Sequence, residues 1–471
     1  MTVRGKSLER KGTAILVAAF GVFIRLIILL SYEPYIEPDF SGFHRTANFL
    51  LSWNVLQYDG ARPPGYPLLL LLCGMDIHMI WIVQSALGVA VALMLFDITS
   101  LVTSGFTIPL IVGLSYSLSI NMLFFEATII SEAFSTFIIV LLMWVTIRIS
   151  RDHSKAGYVK FAVAGFLAGF AALTRPLFLF LTPLLLVFFV WQVAGEQLRS
   201  SFKRKAILTF ALPAVILIVG WSVVNKVSVN YFGVTTLTGF NLSNHSGGFM
   251  EFAPEEYASI RNIYLDHRKG NIEKTGTHSM TIWRAIPDME VETGLSYAEL
   301  SNRMAKLSIR LFAEHPVLYL TSVGKAWVNF WKVPMYWIPE RVKYVDLRRI
   351  ITIVWQSERY ILVLANIIFL AASVRQAYLL VYRKVVAQRQ ALLMTSVVLI
   401  GSFSQAFMEY GENARYSIPF QPLVLLMVIT MLSGRLRFYR TRSGAKAGDS
   451  RNVLVGSATP DQPPSGVSVS E

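Results

Sequence analysis

The stretch 13-TAILVAAFGVFIRLIILLSYEPYIEPDF-40 decides the fold. From Thr13 to Leu30 it is apolar apart from Arg25, close to the about 20 residues an α-helix needs to cross a hydrocarbon core. It then turns acidic, with Glu33, Glu37 and Asp39 in quick succession. The chain therefore specifies at its outset a membrane span that delivers carboxylates to one membrane face. The preceding MTVRGKSLERK is basic like the start of a signal peptide, but no small-residue cleavage site follows, so the span reads as retained. Gly5-Lys6-Ser7 lacks the upstream glycine of a phosphate loop and carries no nucleotide signal.

Working outward, the same apolar pattern recurs. Of 471 residues, 54% are hydrophobic and 15% charged, against about 45–50% and about 25% in soluble domains, which excludes a water-soluble enzyme. Apolar blocks predict about ten crossings, over 13–31, 79–97, 106–122, 131–149, 157–173, 176–194, 206–229, 350–374, 390–408 and 416–433. The net charge of +14 would suit a nucleic-acid binder if it lay on a soluble face. Instead the basic residues cluster between apolar blocks, at Arg4 to Lys11, Arg148 to Lys160, Arg199 to Lys205, Arg375 to Arg389 and Arg435 to Arg451. All five clusters fall on one side of the path, which the positive-inside rule makes cytoplasmic, and no nucleic-acid partner is expected. The expected organisation is an all-α polytopic membrane protein. It has a cytoplasmic N-terminus (1–12), a membrane domain (13–433) and a cytoplasmic, Pro/Ser-rich, disordered tail (434–471). The single cysteine, Cys73, precludes an intrachain disulfide. No internal repeat is visible.

Two segments on the opposite side are too long for turns, residues 32–78 and 230–349, and loops of that length are usually functional. In the first, Phe43, Ala47, Phe49 and Leu50 predict a short amphipathic helix on the membrane face. Arg62-Pro63-Pro64-Gly65-Tyr66-Pro67 then fixes a turn and starts an apolar helix too brief to span. The second opens on a polar, glycine-containing stretch, Asn241 to Gly248, with sequons at Asn241 and Asn244 to which no function is assigned. Helix-like sequence follows from Tyr297 to Glu314, and an interfacial aromatic stretch containing Lys325 and Lys332 runs from His315 to Trp337.

Ionisable groups beside spans are functional candidates by default. They gather at the outer ends: Arg25, Glu33, Glu37, Asp39, Arg62, Glu126, Glu132, Arg175, Glu409, Glu412 and Arg415. A carboxylate that deprotonates a hydroxyl, beside arginines that hold a phosphate, is what transfer of a sugar from a phosphorylated carrier requires. Outside the cytoplasm that carrier must be anchored in lipid, and a polyprenyl phosphate supplies the anchor.

Glu37-Pro38-Asp39, Arg62-Pro63-Pro64-Gly65-Tyr66-Pro67, Ser131-Glu132, Thr174-Arg175-Pro176 and Glu412-Asn413-Ala414-Arg415-Tyr416 resemble, in type and order, the GT-C glycosyltransferases. The chain is most similar to bacterial glycosyltransferase family 39, related to dolichyl-phosphate-mannose protein mannosyltransferases and lipid A aminoarabinose transferases. The resemblance implies a GT-C-like bundle in the cytoplasmic membrane, active outside, using a polyprenyl-phosphate sugar, with an acid of the first outer loop at the catalytic centre. That acid is Asp39; relatives often carry adjacent Asp-Glu there, whereas here Phe40 follows and Glu37 is the second acid. The outer segment 230–349 would serve the acceptor, whether protein, lipid or glycan.

Each residue also has a plainer reading. Asp39 would cap a helix beginning near Ser41; Arg62 would anchor to headgroups, Arg175 snorkel, and Arg415 pair with Glu412. Otherwise these three arginines hold the donor phosphate. Arg25, costly to bury, is expected to pair with Glu37 or Asp39. Glu132 suits a helix N-terminus as well as a site wall, and His44 either bonds Asp39 or sits at the surface. Tyr66, Trp327, Trp331, Tyr336 and Trp337 contact the donor or form an aromatic belt. No cofactor is expected, since a monophosphate leaving group does not demand a metal; Glu37 and Asp39 are where a divalent ion would sit. The competing class is a transporter or flippase of a lipid-linked or small solute, which also uses intramembrane charges and broken helices.

Overall fold

The computed structural model describes residues 3–55, 58–151, 157–194, 200–334, 337–383, 385–434, 438–440 and 454–455. Apolar helices carry every expected span. Running from the first terminus they are α1 (Val3–Ser31), then α2 (Phe40–Ser52) and α3 (Gly65–Leu72) in the first outer segment, α4 (Ile77–Val102), α5 (Thr107–Leu118), α6 (Ile120–Glu126) and α7 (Ser131–Arg151). Next come α8 (Tyr158–Thr174), α9 (Leu181–Ala194) and α10 (Ser200–Val229). The second outer segment holds α11 (Thr238–Ser246), α12 (Ala258–Thr275), α13 (Ile282–Thr293), α14 (Tyr297–Glu314) and α15 (Pro316–Phe330). The chain returns through α16 (Val345–Tyr382), α17 (Arg389–Met408) and α18 (Gln421–Leu432). Among the described residues seven helices are long and apolar enough to cross a membrane: α1, α4, α7, α10, α16, α17 and the unit Arg415–Leu432 that includes α18. The protein is an all-α polytopic membrane protein.

Three expected spans take other forms. The 106–122 block is α5 and α6 bent by 55° rather than one straight rod. Ser119, in extended conformation, breaks the helix, and Glu358 of α16 accepts from the freed Ile120 and Asn121 backbone N–H groups at 2.8 and 3.3 Å. Broken backbone at membrane depth persists only where such partners satisfy it. The 157–173 and 176–194 blocks are shorter apolar helices, the second opening on a 3-10 turn, Pro176–Phe180, because Pro176 and the extended Arg175 interrupt the rod.

Charge marks the two ends of the bundle. At one end Asp97 of α4 takes ion pairs from Arg10 and Arg148 and a 2.7 Å hydrogen bond from Trp144 Nε1. At the other end lie the starts of α4 and α7, the ends of α1, α8 and α17, and both long segments. The first is tied down by a parallel pairing of β1 (Tyr35–Ile36) with β2 (Thr128–Ile129). α3 is the short apolar helix expected after the Pro-Pro-Gly turn. α2 buries Phe43, Ala47 and Phe49 against the protein and leaves Leu51 and the C-cap residue Trp53 exposed.

The second segment builds its own core around Phe240, Tyr264, Met304 and Leu307. α14 matches the helix-like stretch and begins with a Ser296/Glu299 capping box. The polar opening expected at Asn241–Gly248 is instead mostly α11, packed so closely on α14 that a Cβ at Gly239 would overlap the Ser301 carbonyl. Asn244, an expected sequon, is fully buried there. The aromatics of the His315–Trp337 stretch pack inward: Trp337 stacks on Phe124 at 5.3 Å, Trp331 lies against Phe369, and Trp327 donates to Ser402 Oγ at 3.1 Å. Tyr336 lies outside the described residues, as does most of the tail. Phe438–Arg440 pairs antiparallel with Val385–Ala387 and Leu454–Val455.

Candidate active site

Where the two outer segments meet the bundle there is a cavity of about 800 Å³, lined by Glu37, Asp39, Arg62, Arg175, Glu412 and Arg415 among others. Asp39 sits at the N-cap position of α2, yet its side chain makes no capping bond. Arg62 reaches it from the turn before α3, Nη2 to Oδ1 at 2.8 Å, and Arg415 from the 3-10 turn before α18, Nη2 to Oδ2 at 2.9 Å. Burial alone would raise this carboxyl, but Arg62 and Arg415 beside it hold it down to about 2. Arg62 is itself steered over the Phe43 ring, 4.7 Å away, and past Gly42, where a side chain would press on its stem.

A second carboxylate lies beneath. Glu132, in the first turn of α7, is fully buried and forms ion pairs with Arg175 and Arg415 at 3.0 Å each. Arg415 completes its set with Glu412 at 2.8 Å, and the ring of Tyr416 lies 4.5 Å below the Arg175 guanidinium. Snorkelling therefore does not describe Arg175, nor does a private pair with Glu412 describe Arg415. Both belong to a six-residue network of Arg62, Asp39, Arg415, Glu132, Arg175 and Glu412. Glu37 lines the same cavity, and no cluster of three or more metal-ligating side chains occurs among the described residues. Burial pushes the Glu409 carboxyl, also in the lining, above the usual range.

Three expected site residues are placed elsewhere. Arg25 does not pair with Glu37 or Asp39: its Nε and Nη2 bind the Glu126 carboxylate at 2.8 and 2.6 Å, both side chains buried. It sits within α1, and at that depth Glu126 at the end of α6 is the acid in reach; Gly88 of α4 makes room, since a Cβ there would overlap both partners. Tyr66 is a buried strut. Its hydroxyl donates to Gln84 Oε1 at 3.1 Å, and Gln84 Nε2 donates to the Glu126 and Thr128 carbonyls. His44 is half-buried with Nδ1 3.3 Å from Asn48 Nδ2, and bonds its own helix rather than Asp39.

The cavity also holds residues that the sequence did not single out. Arg45, Trp283, Arg284 and Tyr297 line it, the last three from α13 and α14, while Leu177, Leu179, Phe180 and Met408 give it an apolar wall. No family model matches this chain, and no curated protein does.

Proposed function

We propose that the protein is a membrane glycosyltransferase that moves a sugar from a polyprenyl-phosphate donor to an acceptor on the extracytoplasmic side. The single observation that carries this reading is the cavity in which Asp39, Arg62, Arg175 and Arg415 converge from four separate parts of the chain beside an apolar wall. Guanidinium groups are suited to a phosphate's oxygens, and the apolar wall suits a prenyl chain arriving from the bilayer. The resemblance of the motifs to the GT-C family 39 enzymes supports this reading, as does a bundle with seven helices long and apolar enough to cross a membrane among the described residues.

In the reaction, Asp39 accepts the proton of the acceptor hydroxyl or amine as that atom bonds to the anomeric carbon. The bond from that carbon to the phosphate oxygen breaks, its electron pair stays on the phosphate, and the arginines stabilise the added charge. Direct displacement inverts the anomeric centre. A carboxylate held at about 2 is a weak base while two arginines grip it. Donor phosphate drawing on Arg62 and Arg415 would loosen that grip and make Asp39 more basic when the substrate is present.

The test is release of free polyprenyl phosphate from a panel of polyprenyl-phosphate sugars by purified protein in nanodiscs, with cell-envelope extract as acceptor. Release by the wild type that Asp39→Asn abolishes is the expected result. No release with any donor, or undiminished release by the variant, would overturn the proposal.

A further inference from the structure

Five arginines line the cavity, and four of them are matched to acids: Arg62 and Arg415 to Asp39, Arg175 to Glu132, and Arg45 to Asp59 at 2.8 Å. Arg284 differs. It is exposed, unlike the buried Arg175 and Arg415, among the described residues it has no carboxylate partner, and the acid one helical turn along α13, Asp288, is taken by His267 at 2.7 Å. Nor does Arg284 serve its own helix: it stands in the first turn of α13, the end whose dipole disfavours a cation. It shares the cavity lining with Trp283, the residue before it, and with Tyr297, aromatic rings of the kind that pack against sugars and that both lean on Phe240, and with Asn241. The Trp283 indole N–H, shielded from solvent, also has no partner.

We propose that Arg284 binds an anionic group, carboxylate or phosphate, on a saccharide acceptor, with Trp283 and Tyr297 as the surface on which its ring rests. This rests on the transferase reading and names the acceptor class for it. The phosphate-holding arginines and Asp39 come from the first outer segment and the bundle, whereas Arg284, Trp283 and Tyr297 come from the second outer segment. The cavity thus has separate walls for donor phosphate and acceptor. Its volume suits one or two sugar units, since pockets of about 300–1,000 Å³ hold compact ligands.

The experiment measures binding of three probes to the full-length protein in nanodiscs by calorimetry: a neutral disaccharide, the same disaccharide ending in a uronate, and the same carrying a phosphate. The wild type should bind at least one charged probe about tenfold more tightly than the neutral parent, as one charge-assisted arginine contact provides. Which charged probe gains identifies the source of the anion. Arg284→Gln should erase the difference and Arg284→Lys keep part of it, with unchanged thermal unfolding showing that both fold. A wild type without preference, or a preference that survives Arg284→Gln, would overturn the proposal. Because binding is read without a donor, an Arg284-dependent preference in a protein that cleaves no donor would preserve the anion site and sink the transferase reading instead.

Discussion

Replacing Asp39 with asparagine should move phosphate binding and turnover in opposite directions. In the wild type the carboxylate is gripped at 2.8 Å by Arg62 and at 2.9 Å by Arg415, and it is held from 3.8 down to about 2. That displacement corresponds to at most about 2 kcal/mol in favour of the ionised, paired form. The side chain is 31% exposed, so solvent screening trims the figure rather than removing it. An incoming phosphate draws on the same guanidinium groups, so what the carboxylate takes from them it withholds from the ligand. Asp39→Asn should therefore tighten binding of a short-chain polyprenyl phosphate, by about tenfold after screening. Loss of the base should slow sugar transfer by about 10²–10⁴.

The assay is titration of nanodisc-embedded protein with a fluorescent polyprenyl phosphate, alongside single-turnover release from the cognate donor. Weaker or unaltered phosphate binding in the variant would refute the shared-arginine geometry, and preserved turnover would refute the base. Stability carries the same sign information. A depressed carboxyl contributes stability that is complete above 3.8 and is lost as pH falls through about 2. The variant should thus unfold earlier than the wild type at neutral pH and converge with it at the acid end.

Arg25→Met should destabilise the bundle by about 3–5 kcal/mol in thermal unfolding, because it strands Glu126 in the bilayer region; Arg25→Met with Glu126→Met should recover most of that loss. Equal losses in single and double variants would mean the two side chains are uncoupled. Gly88→Ala should cost about 1–3 kcal/mol, since its Cβ enters the space of the same pair, and normal unfolding would contradict the packing. His245 is fully buried, and desolvation lowers it from 6.5 to about 4. Its stability contribution is complete above 6.5 and shrinks by up to about 3 kcal/mol as pH falls through about 4. Proteolytic resistance of the α11–α14 region should decline across that window, and a flat profile would count against it.

Local signals in the sequence reached the right elements where local physics decides the outcome. The Pro-Pro-Gly turn before α3, the helical stretch that becomes α14 and the apolar runs of the seven long spans depend on residues a few positions apart. Partners distant in sequence were not legible. Nothing near Arg25 announces that Glu126, 101 positions away, will take it rather than the nearby acids Glu37 and Asp39. The α11 stretch is polar and gives no helix signal, and it is buried because distant groups satisfy it: Ser308 meets Ser246 at 3.0 Å, Ser322 meets His245 at 2.8 Å, and Asn244 accepts from the Met280 N–H. The acids and arginines of the cavity were found because charge beside a membrane span is costly. Arg284 and Trp283 were missed because they lie in a polar segment where charge carries no such penalty.

Of the three carboxylates that share Arg415, Asp39 and Glu132 are not equivalent, and the difference separates their roles. Arg62, Arg175 and Arg415 are balanced by Asp39, Glu132 and Glu412, so these residues offer no surplus cation for a phosphate. Binding an anion must displace a carboxylate from at least one guanidinium. Glu132 is fully buried and locked between two arginines; releasing it would leave a bare charge away from water, a loss no single phosphate contact offsets. Asp39 is part-exposed and can be rehydrated as it lets go. Glu132 therefore anchors Arg175 and Arg415 in place, while Asp39 is the exchangeable partner; on the proposed transferase reading, its release would put the carboxylate next to the incoming substrate when a base is needed.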